Sequence, residues 1–163
     1  MSVAQVQKHL HATDGIDQID VSSYMGTLCA SLAASMVGED QPIAVNVFTD
    51  IGHIGSARAV SLGLIVTELV INAVKYAFPA VKSDAFISVS YEIDGESWKL
   101  MVSDNGVGKG SEDEVGTQAG LGTAIVQALV KQLDAVMETI SDSSGTKVSI
   151  TRAVFKSHTS RAA

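Results

Sequence analysis

Residues 56–78, SARAVSLGLIVTELVINAVKYAF, constrain this chain more than any other stretch. Val60, Leu62, Leu64, Ile65, Val66, Leu69, Val70, Ile71, Val74 and Phe78 make the helix that this run predicts apolar nearly all round, so most of it is expected to be buried. Pro79 ends it, because proline has no N–H and cannot continue a helix. Yet Glu68, Asn72, Lys75 and Tyr76 fall at i, i+4, i+7 and i+8, which stacks them on one face. Burying a carboxylate, an amide and an ammonium together without partners costs as much as a domain's whole stability margin. The stripe therefore faces either water, as a solvated Glu–Asn–Lys network, or a polar ligand.

The chain has 163 residues, enough for one domain with a real core. Hydrophobic residues make up 46% of it, which excludes a disordered chain, and 18 Asp+Glu against 11 Lys+Arg give a net charge of -7, which makes nucleic acid a poor partner. The N-terminus carries Lys8, His9 and His11 but no apolar signal core, and the most apolar segment, LGLIVTELVINAV, is interrupted by Glu68 and Asn72. The expectation is a soluble, cytoplasmic protein with no membrane segment in this chain. The one cysteine, Cys29, lies in an apolar helix-like run, which excludes an intrachain disulfide and a cysteine metal cluster.

Residues 1–13 have helical composition and stop at the breaker Thr13-Asp14-Gly15, like the tail of a helix that belongs to something upstream. Val3, Val6 and Leu10 form a stripe on it suited to pairing with another helix, and hence to a homodimer. Ser22 or Ser23 is the expected cap of a helix reaching about Val37, with Met25, Leu28, Cys29, Leu32 and Met36 on its apolar face and Gly38 as its stop. IAVNVF (43–48) alternates as a strand, and FISVSYEI (86–93) with SWKLMVSD (97–104) predicts a hairpin turning at Asp94-Gly95. A helix from about Gly122 to Leu133 and strands near 136–141 and 146–154 complete the order αβαββαββ. Short turns between successive strands favour a two-layer α/β sandwich, a mixed and mostly antiparallel sheet with helices on one face. The tail 156–163 is expected to be mobile.

The predicted strand 97–104 runs into DNGVGKG, a carboxylate followed by three glycines. Glycine-rich turns after strands often cradle phosphates, but neither common nucleotide fingerprint fits. A P-loop needs glycine where Ser103 stands and Ser or Thr where Gly110 stands, and the dinucleotide fingerprint fails because Gly106, Gly108 and Gly110 are spaced GxGxG with polar SEDEVGTQ following. Further on, Gly120-Leu121-Gly122-Thr123 opens a helix with its first N–H groups free, which is either an anion site or a tight turn packed on a sheet.

ELVINAVKY, DNGVG, GLGTAIV and GTKVSI resemble, in order, the N, G1, G2 and last nucleotide-contact boxes of the GHKL ATPases, the Bergerat-fold superfamily of histidine kinases, gyrase, MutL and certain heat-shock chaperones. NAVKYAFP after the N box, the short segment between DNGVG and GLG, and the DGIDQIDVSSYMGTLCASL lead-in look most like the catalytic ATP-binding domain of bacterial sensor histidine kinases of the light- and stress-sensing group. The resemblance covers about residues 14–155. It departs from the Trp-x-Glu signature of one subgroup, since Trp98 is followed by Lys99 and Leu100.

The resemblance implies a set of roles. Asp104 would accept the adenine amino group, Gly106 and Gly108 would let the backbone approach the base, and Thr146 would support Asp104 directly or through water. Asn72 would offer its amide oxygen to Mg2+, Glu68 would orient or deprotonate the nucleophile, Lys75 would reach the phosphates of ATP and Tyr76 would pack on the adenine side. The N–H groups of Gly120, Leu121, Gly122 and Thr123 would hold the phosphates under a flexible lid, 109–119. The phosphoacceptor histidine would lie outside this chain on a helical hairpin of the same or a sister kinase, with a response regulator downstream. His9 and His11 lie too close to Asp14-Gly15 to begin such a hairpin, and His53 and His158 read as surface residues in a loop and in the tail. The alternatives are a related serine kinase acting on an anti-sigma antagonist and a non-catalytic phosphotransfer or dimerisation module.

Overall fold

The computed structural model describes residues 18–108 and 121–153. The expected helix 1–13, the lid 109–119, Gly120, His158 and the tail 156–163 lie outside these residues.

Five strands form the main sheet in the order β2-β4-β5-β7-β6: β2 (Ala44–Thr49), β4 (Phe86–Asp94), β5 (Ser97–Asp104), β7 (Gly145–Arg152) and β6 (Val136–Asp142). Only β2 and β4 run parallel; the other three pairings are antiparallel. Strand alternation sorts the faces. Ile87, Val89 and Tyr91 of β4, Trp98, Leu100 and Val102 of β5 and Ile150 of β7 are buried, while Ser88, Ser90, Ser103 and Ser149 between them are partly exposed. The helices α1 (Val21–Met36), α2 (Ser56–Tyr76) and α3 (Leu121–Gln132) cover the apolar face, contributing Met25 and Cys29, Leu62, Ile65, Val66 and Val70, and Val126 and Val130. The two-layer sandwich with a mixed, mostly antiparallel sheet is thus as expected.

The two short strands β1 (Gln18–Asp20) and β3 (His53–Gly55) were not expected. They pair antiparallel, Gln18 with Gly55, so the segments leading into α1 and α2 start side by side. His53 therefore begins a strand rather than sitting in a loop, although it is exposed as expected. Three-residue strands are too short for a period-2 pattern to show in the sequence.

The cap of α1 is Asp20, whose carboxylate accepts the Ser23 N–H at 3.1 Å, and not Ser22 or Ser23, both of which lie inside the helix. Helix α2 stops at Tyr76, one turn before Pro79, and Ala77 closes it by donating its N–H to Ala73 O at 3.0 Å. It is less enclosed than its composition implies, for Val60 and Leu64 are 59% and 48% exposed. Among the described residues α1 and α3 flank α2 on the sheet. By length and hydropathy α2 could also cross a membrane, but here it is the central helix over the sheet and carries the polar stripe.

Candidate functional site

A cavity of about 490 Å³ opens between the C-terminal half of α2, the start of α3 and the ends of β5, β6 and β7. The α2 stripe forms one wall: Glu68, Asn72, Lys75 and Tyr76 all line it, as helical spacing requires of residues at i, i+4, i+7 and i+8. Asp104, Gly108 and Thr146 line the opposite side, and Gly122 and Thr123 of α3 join them. Ala73, Ala77, Val102, Val126, Met137 and Val148 make the floor apolar, enough to take a flat ring.

Asp104 ends β5, and its Oδ1 accepts the N–H of Gly106 at 2.9 Å and the N–H of Thr146 at 3.3 Å. Among the described residues its other oxygen takes no hydrogen bond, so one acceptor remains for a ligand. Burial raises the Asp104 pKa, against the smaller opposite effect of the two backbone N–H groups. Thr146 thus supports Asp104 through its backbone, while its hydroxyl shares a 2.8 Å hydrogen bond with Ser141 Oγ.

The turn after Asp104 is clamped on both sides. Val107 donates its N–H to Ala77 O at 2.9 Å, and a β-carbon on Gly106 would lie 2.2 Å from the same oxygen. Gly108, at φ +67°, leaves 1.8 Å between its would-be β-carbon and Asp142 O. Gly106 is buried against Ala77 and does not line the cavity, so the close approach it permits is to the end of α2; Gly108 alone of the two faces the cavity.

Several residues not singled out in the sequence shape the site. The Asn105 side chain donates to Asp84 O and accepts the Phe86 N–H, both at 2.8 Å, and Lys82 Nζ donates to Asn105 O at 2.7 Å. These bonds tie the 78–86 connection to the Asp104 turn. Met137 and Thr139 complete the floor from β6, and Ser141 fixes the Thr146 hydroxyl. No sequence signal marks them: Lys82 and Asn105 act across 23 residues, and Ser141 acts on Thr146 of the neighbouring strand. The side chain of Leu121 lies outside the described residues.

Residues 57–154 match the family described as histidine kinase-, DNA gyrase B-, and HSP90-like ATPases. The chain belongs to this ATPase family. Among its relatives, the sensor histidine kinase PdtaS of Mycobacterium tuberculosis is 32% identical over 91 residues, 56% of this chain and 18% of that protein. The blue-light-activated histidine kinase 2 of Erythrobacter litoralis is 30% identical over 139 residues, 85% of this chain and 39% of that protein. This ATPase-family chain therefore spans less than half the length of either relative. The histidine kinase domain of a blue-light activated kinase from Erythrobacter litoralis superposes with a TM-score of 0.72 at 26% identity, over 82% of this chain and 60% of that one. A mycobacterial sensor histidine kinase, MprB, shares the fold at a TM-score of 0.62 and 19% identity, over 82% of this chain and 94% of that one.

Proposed function

We propose that this domain binds Mg-ATP and supplies the γ-phosphoryl group to a histidine of a two-component sensor kinase. The observation that carries this reading is the free carboxylate oxygen of Asp104 at the back of an apolar-floored cavity whose opposite wall is Glu68, Asn72 and Lys75. An acceptor-only group there favours an amino-bearing purine over an oxo-bearing one. Lys75 and the first N–H groups of α3 would take the phosphates, and Tyr76, half-exposed at the rim, would cover the base.

The donor set suits Mg2+ only in company with a ligand. No group of three or more carboxylate, histidine or cysteine side chains gathers among the described residues, and a magnesium ion held by phosphates and waters needs little more than the Asn72 amide oxygen. Bound there, the ion would neutralise phosphate charge. The chain's own residues do the rest: Lys75 and the first N–H groups of α3 hold the phosphates, and Glu68, half-buried beside the α3 start, orients or deprotonates the attacking nitrogen.

The acceptor would be the histidine of a helical hairpin in the same or a sister chain, with a response regulator receiving the phosphoryl group afterwards and dimerisation through residues 1–13. A cytoplasmic location goes with those partners. The test is twofold. Calorimetry should give micromolar affinity for Mg-ATP, about -8 kcal/mol, and much weaker binding of GTP. Incubation with γ-labelled ATP and an acceptor hairpin from a kinase of this group should give acid-labile label on the hairpin. Equal affinity for the two nucleotides, or acid-stable label on a partner protein, would overturn the reading, the latter in favour of serine phosphorylation.

A further inference from the structure

A second cavity, of about 390 Å³, lies at the other end of α2, lined by Arg58, Gly95, Glu96 and Arg152. Arg58 and Glu68 are ten residues apart on one helix, roughly 15 Å of axial rise, so the two cavities are separate. Arg58 belongs to the first turn of α2, Arg152 ends β7 opposite Trp98, and Gly95 with Glu96 makes the β4–β5 turn. Arg58 Cζ sits 5.9 Å from the centre of the Trp98 ring, which stacks on Tyr91 at 5.9 Å. Among the described residues no carboxylate, Glu96 included, lies within ion-pair distance of either guanidinium. Behind Arg58, the Tyr91 hydroxyl is buried and interacts with the Arg58 side chain, so Arg58 is held at the cavity from within the core.

Two guanidinium groups facing one cavity repel each other. An anion seated between them relieves that repulsion. We propose that this corner binds a small phosphomonoester, with Arg58 and Arg152 taking the phosphoryl oxygens and Glu96 accepting a hydroxyl of the ester's carbon part. Forks arriving from a helix and from a strand suit the three terminal oxygens of a phosphoryl group better than the two of a carboxylate. The cavity exceeds what inorganic phosphate alone would fill, which leaves room for the carbon part.

Trp98 is the chain's single tryptophan, so its emission reports directly on this corner. The full chain is titrated with glycerol 3-phosphate, inorganic phosphate and succinate at constant ionic strength. A saturable change is expected, strongest for glycerol 3-phosphate, weakened about tenfold or more by Arg58→Gln and by Arg152→Gln, with circular dichroism confirming the fold of both. Glu96→Gln should remove the preference for glycerol 3-phosphate over inorganic phosphate. A non-saturable response, a stronger response to succinate, or displacement by adenosine, which would assign the signal to the cavity beside α3, overturns the proposal. Because Arg152 is remote from the Asp104 cavity, loss of ATP binding there leaves this test intact.

Discussion

The carboxylate of Glu68 rests on the backbone of Gly122: a β-carbon added at Gly122 would lie 2.3 Å from Glu68 Oε2. Only the far end of a flexible side chain would have to move, so Gly122→Ala should fold almost as well as the parent. It should, however, turn Glu68 away from the start of α3. On the role proposed for Glu68, phosphotransfer to an acceptor hairpin falls about a hundredfold while Mg-ATP affinity stays within about threefold. Parallel loss of affinity and transfer would remove Glu68 from the chemistry.

Gly106→Ala meets a different obstacle. Its new methyl group would press on Ala77 O at 2.2 Å, and that atom belongs to the backbone that accepts the Val107 N–H. The turn or the end of α2 must shift, at a cost of about 1–3 kcal/mol. Thermal unfolding should show a clear drop in Tm for Gly106→Ala and almost none for Gly122→Ala.

Asp104 links stability to selectivity. Burial raises its pKa above the ordinary 3.8. The folded state therefore binds the proton more readily than the unfolded one, and the stability this gives is full below about pH 4 and is lost as pH rises through the raised value. Asp104→Asn cannot titrate, so its Tm should gain on that of the parent as pH rises from 4 to 7. The same substitution should cut the preference for ATP over GTP by about tenfold, the worth of one hydrogen bond of ~1.4 kcal/mol. Calorimetry with both nucleotides checks the second half.

Cys29 reports on the packing of α1. Burial raises its thiol from 9.0 to about 11, so at pH 8 it should resist thiol reagents in the folded protein and react at once in denaturant. The stability linked to it is full below pH 9 and is lost as pH rises towards 11. Cys29→Ala should lack that alkaline decline in a Tm-against-pH series.

Asn72→Ala tests the metal side. Removing the one proposed protein ligand should make the affinity for ATP nearly independent of magnesium, where the parent loses binding when the ion is chelated. An unchanged dependence on magnesium would take Asn72 out of the metal's surroundings.

Local periodicity was enough to determine the long elements. A long helix with a polar stripe and a hairpin with strict alternation each carry their pattern within one segment, although the hairpin turns at Gly95-Glu96 and not at the expected Asp94-Gly95, since Asp94 still pairs with Ser97; the stripe by itself demanded a polar ligand or water. What faces that stripe could be decided only by tertiary contacts. The Thr146 backbone N–H reaches Asp104 across 42 residues, Lys82 and Asn105 brace the turn from a connection with no pattern of its own, and Gly106 meets the backbone at the end of α2. The same holds at the far end of α2, where Arg58 and Arg152, unremarkable in sequence, line one cavity because β7 pairs Arg152 with Trp98 of β5 and α2 brings Arg58 over the Trp98 ring. Hydrophobic patterning fixes which face of an element is buried, whereas the neighbour of each polar group depends on register and on where helices end, which are properties of the assembled sheet and its helix layer.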